Sequence, residues 1–466
     1  MKAFIIAAPH SGSGKTTVTL GILEILKRRG FVVAPFKVGP DFIDGGYHRA
    51  VTGRPSINLD GWMCGPDFVR ETFARHTKNA DVAVIEGVMG LFDGIGGNSD
   101  EGSTAQIAKL LGVPVILVVD ARGQARSLAA LVKGFSEFDP DVRLAGVILN
   151  HVGSAAHAGV LREAIRSSCP GVEIVGSIGR QQEILLPSRH LGLVTVDENP
   201  LSPYYLHNLA RLVGGGVDLD LLLRLAESTR AQPAMAPVVS VEARVPIAVA
   251  RDSAFCFVYE DNLRLLREAG AELETFSPIN DSRLPEDAAG LYLPGGYPEL
   301  FAEPLAANFA MKNAVRAAIE QGMPVYAECG GFIYLTRGVL EPEGLAPRRR
   351  TGSSGVRHFV GIYPVTTKML PQRKALGYRE ITTTAETVLG PAGMQARGHE
   401  FHYSEMEGMP PEVGQAYRVS RRGEDMGSEG YLRHNCLASY VHLHFGSNPA
   451  MAAAFVESCR KFPRRT

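Results

Sequence analysis

The chain has 466 residues, 45% of them hydrophobic and 21% charged, with a formal net charge of −1. That length exceeds one ordinary core and points to two soluble globular domains. The near-neutral charge argues against a general polyanion binder such as a nucleic-acid protein. The six cysteines (Cys64, Cys169, Cys256, Cys329, Cys436, Cys459) form no CxxC pair, which speaks against a disulfide framework or a zinc site and for a reducing compartment. No apolar run approaches the roughly 18 residues of a membrane span, so a cytoplasmic protein is expected.

In chain order, short apolar runs alternate with amphipathic stretches. Strands are predicted at Ala3–Ala8, Val32–Phe36, Val82–Ile85, Val115–Val119, Ala145–Leu149 and Ile174–Ile178, with helices between them, as at Thr16–Arg29 and Ala105–Leu111. This predicts a parallel sheet with helices on both faces, which binds ligands at the carboxyl ends of its strands. A proline-rich stretch without helical period then separates residues 1–230 from 246–466, with 231–245 as linker. A second α/β pattern restarts at Ile247–Ala250 and continues through Gly290–Leu293 and Pro324–Ala327; residues 344–355 are expected to form an exposed loop.

The first strand runs into Ala8-Pro-His-Ser-Gly-Ser-Gly-Lys-Thr-Thr17, a phosphate loop opening a helix. Backbone amides of Gly12, Ser13 and Gly14 suit phosphate oxygens, Lys15 suits the β and γ phosphates, and the Thr16 hydroxyl suits Mg²⁺, with Thr17 beside it. Pro9 stands where the usual pattern has glycine. Carboxylates end neighbouring strands. Glu86 closes Asp81–Glu86 and suits Mg²⁺, while Lys37, Asp41 and Asp44 lie on a loop after the second strand. Each acid alone also reads as a turn former. Asn150 suits a purine edge or the cap of the next helix.

In the second half, Pro324–Phe332 has the form of a nucleophile elbow, with Cys329 between a strand and a helix. The following helix N-terminus and a nearby histidine would give that thiol thiolate character. Ser439–Phe445 reads as one strand, with His442 and His444 on one face. Amides of Leu293–Glu299, Gly296 among them, together with Gly330 suit an oxyanion hole.

These motifs, with Phe36–Asp60 (FKVGPDFIDGGYHRAVTGRPSINLD), Glu86–Gly94 (EGVMGLFDG), Pro187–Val194 (PSRHLGLV), Leu376–Glu380 (LGYRE) and Arg397–Glu405 (RGHEFHYSE), resemble the cobyrinate or hydrogenobyrinate a,c-diamide synthase family over nearly the whole chain. The resemblance implies a dethiobiotin-synthetase-like P-loop domain followed by a class I glutamine amidotransferase domain. It implies Cys329 as glutaminase nucleophile and His442 as its base. It also implies Lys15 and Thr16 as phosphate-loop residues, and Thr16, Asp41 and Glu86 as Mg²⁺ ligands. Lys37, Asp41, Asp44, Tyr47 and Asp93 would lie on the edge facing ATP and substrate. Amidotransferases of this class often carry an acid two residues beyond the catalytic histidine, where this chain has His444. The implied activity is ATP- and glutamine-dependent amidation of the a and c side-chain carboxylates of a corrinoid acid through acyl phosphates. The implied partners are the corrinoid or tetrapyrrole acid, glutamine and ATP, with no nucleic acid and no membrane; a homodimer is compatible with the sequence, which leaves assembly open. A nickel-sirohydrochlorin amidase, a P-loop switch ATPase with a binding module, and a ligase using free ammonia stand as alternatives.

Overall fold

The computed structural model describes residues 1–180, 188–189, 192–228, 244–340 and 355–463. The chain forms two compact units, Met1–Ala236 and Pro237–Thr466. The expected linker falls almost wholly outside the described residues, as do residues 187, 190 and 191 of the 187–194 motif and nearly all of the loop expected at 344–355.

In the first unit, β1 (Lys2–Ala7) leads through the phosphate loop into α1 (Lys15–Arg28), and β2 (Val33–Val38) into α2 (Ile43–Thr52). Then follow β3 (Ile57–Leu59), α3 (Gly61–Thr77), β4 (Val82–Glu86), α4 (Thr104–Leu111), β5 (Val115–Asp120), α5 (Arg126–Glu137), β6 (Leu144–Val152), α6 (Ala155–Ser168) and β7 (Glu173–Gly179). The strands are Val-, Ile- and Ala-rich and buried on both faces, as a parallel sheet between helices requires. Their order is β3-β2-β4-β1-β5-β6-β7. The chain leaves β1 towards β2 on one side, then crosses from β4 to β5 on the other. That reversal opens a crevice at the carboxyl end of β1, where ligands bind in open α/β sheets. Side-chain caps start the helices: Ser103 accepts from the Gln106 amide and Ser154 from that of His157. Helix α3 is kinked, because Gly65 takes φ 80° and Pro66 follows it.

The second unit holds one ten-stranded mixed sheet. Its parallel half runs Ala271–Phe276, Val245–Ala250, Gly290–Leu293, Val325–Glu328 and Cys436–Ser439, in that spatial order. An antiparallel half continues from it through Glu424–Arg433, Gly414–Arg421, Ala375–Thr383, Gln395–His402 and the two-residue strand His442–Leu443. Val245–Ala250, Gly290–Leu293 and Val325–Glu328 follow the sequence reading, whereas Ala271–Phe276 and Cys436–Ser439 were not anticipated. The antiparallel half was not anticipated, because its strands mix charged and apolar residues at the sheet's wetter end.

Ser439–Phe445 is not one strand. It stops at Ser439 because side chains take the next two amides: Glu429 Oε1 accepts from Tyr440 N (2.7 Å), and Ser439 Oγ accepts from Val441 N (2.9 Å). His442 then pairs with His399 on a different strand. His444 lies outside any strand and caps a 3₁₀ turn, its Nδ1 accepting from Gly446 N at 3.0 Å. The two histidines are therefore fixed separately.

Candidate functional site

The phosphate loop is shaped by two left-handed glycines, Gly12 (φ 85°) and Gly14 (φ 86°), a conformation that costs other residues energy. Pro9 has no positive φ, so proline fits where the common pattern puts glycine. Gly14 caps α1, so the helix N-terminus opens beside the loop. Asn150, near the end of β6, donates from Nδ2 to the Ser13 carbonyl at 2.9 Å and accepts from the His151 amide at 3.0 Å. It braces the loop and does not cap α6, which Ser154 caps. A Cβ at Gly14 would lie 2.2 Å from Asn150 Nδ2, so only glycine allows this brace. Thr17 lies in the first turn of α1.

Lys15 Nζ donates to the Met89 carbonyl at 2.9 Å. Burial, with Lys37 close by, lowers its pKa to about 8, so it remains mainly cationic at neutral pH. Thr16 Oγ1 donates to Glu86 Oε1 at 2.6 Å and lies 3.5 Å from Asp44 Oδ2. Lys37 Nζ reaches Asp44 Oδ2 at 2.5 Å, Glu86 Oε1 at 3.1 Å and Asp41 Oδ2 at 3.8 Å. Burial works against the Lys37 ammonium, but Asp44, Glu86 and Asp41 outweigh it and keep it protonated. Burial also opposes charge on Glu86, yet Lys37 and His48 overcome it and hold that carboxyl ionised. In Asp44, burial and the neighbouring Asp41 win, and the carboxyl is raised well above its usual range. Asp41 Oδ1 accepts the amides of Ile43 and Asp44 at 2.9 and 3.0 Å, so this acid also shapes the turn into α2.

The structure thus brings Lys15, Thr16, Lys37, Asp41, Asp44 and Glu86 together. Tyr47 is committed elsewhere: its ring is buried and its hydroxyl donates to the Val194 carbonyl at 2.6 Å. Asp93 Oδ2 accepts from Gly90 N at 2.9 Å and closes the turn after β4. That turn lies on the phosphate loop, with Leu91 N donating to the Ala8 carbonyl at 2.8 Å. The sequence reading missed His48, which is fully buried; its Nε2 meets Glu86 Oε2 at 2.7 Å and its Nδ1 meets Ser56 Oγ at 3.0 Å.

The donor set fits a hard divalent cation. Mg²⁺ takes oxygen ligands, usually one or two carboxylates plus phosphates and waters. Thr16 Oγ1 keeps lone pairs after donating to Glu86, and Asp44 and Asp41 add carboxylate oxygens. Among the described residues, His, Cys, Asp and Glu side chains form no group of three that would hold a metal ion by themselves.

In the second unit, Cys329 follows Val325–Glu328 at φ 44°, ψ −101°, and caps the short helix Gly330–Leu335. Positive φ in a non-glycine residue is strained, and such strain collects at functional sites. Glycines make the turn possible: a Cβ at Gly331 would lie 2.1 Å from the Leu293 carbonyl oxygen. A Cβ at Gly330 would lie 2.7 Å from Gly296 N and 2.9 Å from Gly296 O, so the two backbones expected to form the oxyanion hole abut. At Gly295 a Cβ would lie 2.2 Å from Cε1 of His442, which puts that imidazole against the same loop. Cys329 Sγ lies 3.9 Å from the Phe401 carbonyl.

Burial pushes the Cys329 thiol well above its ordinary value, outweighing the Gly330 amide that favours thiolate. Burial pushes His442 down to about 3. The resting pair is therefore a neutral thiol and a neutral imidazole, not the thiolate expected from sequence. A neutral imidazole is the form that can accept the thiol's proton.

The missed residues here surround Cys329 and His442. Glu328 is buried; its Oε1 accepts from Tyr326 OH (2.6 Å) and Leu443 N (2.9 Å), and its Oε2 from Tyr292 OH (2.9 Å). It thereby ties the residue before the cysteine to the residue after His442. Glu400 is held by Arg379 Nε at 2.7 Å and His402 Nε2 at 2.8 Å. The alternating polar residues of Arg397–Glu405 were the available signal.

Two families match the chain: residues 4–194 match the "CobQ/CobB/MinD/ParA nucleotide binding domain", and residues 246–450 the "CobB/CobQ-like glutamine amidotransferase domain". The cobyrinate a,c-diamide synthase of Syntrophotalea carbinolica is 48% identical, over 98% of both chains. That of Priestia megaterium is 42% identical, over 98% of this chain and 97% of the other. The hydrogenobyrinate a,c-diamide synthase of Streptomyces coelicolor is 41% identical, over 98% of this chain and 97% of the other.

Proposed function

The chain belongs to the cobyrinate/hydrogenobyrinate a,c-diamide synthase family, and from that premise we propose that it amidates the a and c carboxylates of cobyrinic or hydrogenobyrinic acid with ATP and glutamine. The family makes it an amidating ligase with a glutamine amidotransferase domain, within cobalamin biosynthesis. The observation that carries the reading is the junction at the elbow: Cys329 at φ 44°, the abutting Gly330 and Gly296 backbones, and His442 against Gly295.

In the glutaminase half, Cys329 gives its thiol proton to His442 as sulfur bonds to the glutamine amide carbon. The Gly330 and Gly296 region receives the oxyanion. The C–N bond breaks, His442 returns the proton to the departing ammonia, and water hydrolyses the thioester to glutamate.

In the synthetase half, a substrate carboxylate oxygen attacks the γ-phosphorus and the bond to ADP breaks, leaving an acyl phosphate. Lys15 and Lys37 offset charge on the transferring group. Ammonia attacks the acyl carbon, phosphate leaves with the electron pair, and the nitrogen sheds its extra proton to give the amide. Thr16, with Glu86, Asp44 and Asp41 behind it, would hold Mg²⁺, which supplies charge neutralisation on the phosphates. Asn150 acts by holding the loop. We place the protein in the cytoplasm; no helix among the described residues is long and apolar enough to cross a membrane.

The test separates the two nitrogen sources. Cys329→Ala should abolish glutamine-supported amide formation and keep ammonia-supported formation within about twofold of the unsubstituted protein. Glutamine-supported synthesis that survives Cys329→Ala would sink the reading.

A further inference from the structure

What orients the imidazole of His442 is a separate question, and the answer rests on the reading of Cys329 and His442 as a glutaminase pair. Position 444, where an acid would be expected, holds a histidine engaged as a turn cap: Nδ1 of His444 accepts from Gly446 N, and its ring leans on Tyr259 at 4.5 Å. The strand Gln395–His402 supplies a different neighbour. His399 is paired directly across from His442, and the two rings stack nearly parallel, 13° apart in plane with centroids at 4.8 Å. His399 is itself held, its Nδ1 hydrogen-bonded to the hydroxyl of buried Tyr259 at 2.8 Å. On another side, the missing side chain of Gly295 leaves room for Cε1 of His442. The imidazole is therefore confined by an anchored aromatic ring and a bare backbone.

We infer that His399 is the positioning residue for His442: its ring, anchored by Tyr259, fixes the plane of the imidazole that takes the proton of Cys329. His399 touches neither glutamine nor sulfur in this role and acts only through His442. The surroundings favour a neutral His399. Burial comes first, and then His442, His444 and Arg379 each disfavour a proton on it. A neutral ring face also suits the imidazolium that forms transiently at His442, because a cation is attracted to an aromatic face. Beside burial, His402 opposes protonation of His442 and Glu400 favours it.

The test uses the full chain and glutamate release at saturating ATP and corrinoid acid, across pH, for His399→Ala, His399→Phe and Cys329→Ala. His399→Ala should lower kcat about 10- to 100-fold, the range expected when a reacting group is misplaced by up to an ångström. KM for glutamine should stay within about twofold, and the alkaline-rising limb of the kcat profile should move to higher pH as water reaches His442. His399→Phe loses the bond to the Tyr259 hydroxyl but keeps a flat ring packed between Tyr259 and His442, and should stay within about threefold of the unsubstituted kcat. If His399→Ala fails to fold, His399→Phe decides alone: a fall of tenfold or more overturns the stacking role, and activity near the unsubstituted level upholds it. A folded His399→Ala with unchanged kcat and pH profile overturns the inference while leaving the Cys329 and His442 pair in place. Glutamate release that persists in Cys329→Ala would instead overturn the underlying reading.

Discussion

Gly295→Ala tests the placement of the catalytic base with one added carbon. Gly295 has no positive φ, so alanine strains nothing in the backbone. Its Cβ, however, would lie 2.2 Å from Cε1 of His442. Carbon atoms rest at about 3.5–4.0 Å, so the gap must open by more than an ångström. The imidazole has little room to yield. His399 stacks on it at 4.8 Å, and the backbone carbonyl oxygen of His442 would lie 2.0 Å from a Cβ at Gly398. Displacement on that scale costs about 100-fold in rate, or about 2.7 kcal/mol of transition-state stabilisation. The overpacking itself should remove about 1–3 kcal/mol of stability, visible as a lower Tm. Glutamate release should fall by that hundredfold, while ammonia-supported amide formation, which bypasses Cys329 and His442, persists. Glutaminase activity within threefold of the unsubstituted protein would show that the imidazole does not lie against Gly295. Gly296→Ala would be a poorer test, because φ 155° and the Ala254 carbonyl oxygen, 2.0 Å from its Cβ, add other strains.

Other outcomes follow from the buried carboxyls and the loop brace. Burial raises Glu328 to about 7 against its three hydrogen-bond donors. A carboxyl raised on folding contributes stability at low pH that is lost as pH rises through about 7. Glu328→Gln should flatten that decline, so its Tm relative to the unsubstituted protein should improve from pH 5 to pH 8; a constant difference would contradict the assignment. Asn150→Ala removes the 2.9 Å bond to the Ser13 carbonyl. ATP affinity, read by calorimetry, should then weaken about 5- to 10-fold, as the net loss of about 1 kcal/mol for one hydrogen bond implies, while glutaminase activity is unaffected.

The parallel frameworks were legible because strands buried on both faces read as continuous apolar runs, as in Val115–Asp120 and Val82–Glu86. The phosphate loop and the cysteine elbow were legible because each demands small residues at fixed spacing. The antiparallel half of the second sheet was not, since strands such as Glu424–Arg433 carry charges on a partly exposed face. Reading Ser439–Phe445 as one strand failed for a tertiary reason: Glu429, eleven residues before Tyr440, captures the Tyr440 amide that a strand would have used. His399, Glu328 and His48 were missed because their roles depend on pairing across elements, which spacing along the chain does not reveal. Thiolate character at Cys329 was expected from local geometry, and burial reversed it.

Product mass decides whether this chain amidates a corrinoid acid. The protein would be incubated with ATP, Mg²⁺ and glutamine, in parallel with cobyrinic acid and with hydrogenobyrinic acid. Two successive losses of about one mass unit are expected from one of these acids, each an exchange of OH for NH₂, with ADP, phosphate and glutamate released in step. Unchanged mass with both acids, while glutamine is still hydrolysed in a Cys329-dependent way, would contradict the proposed substrate.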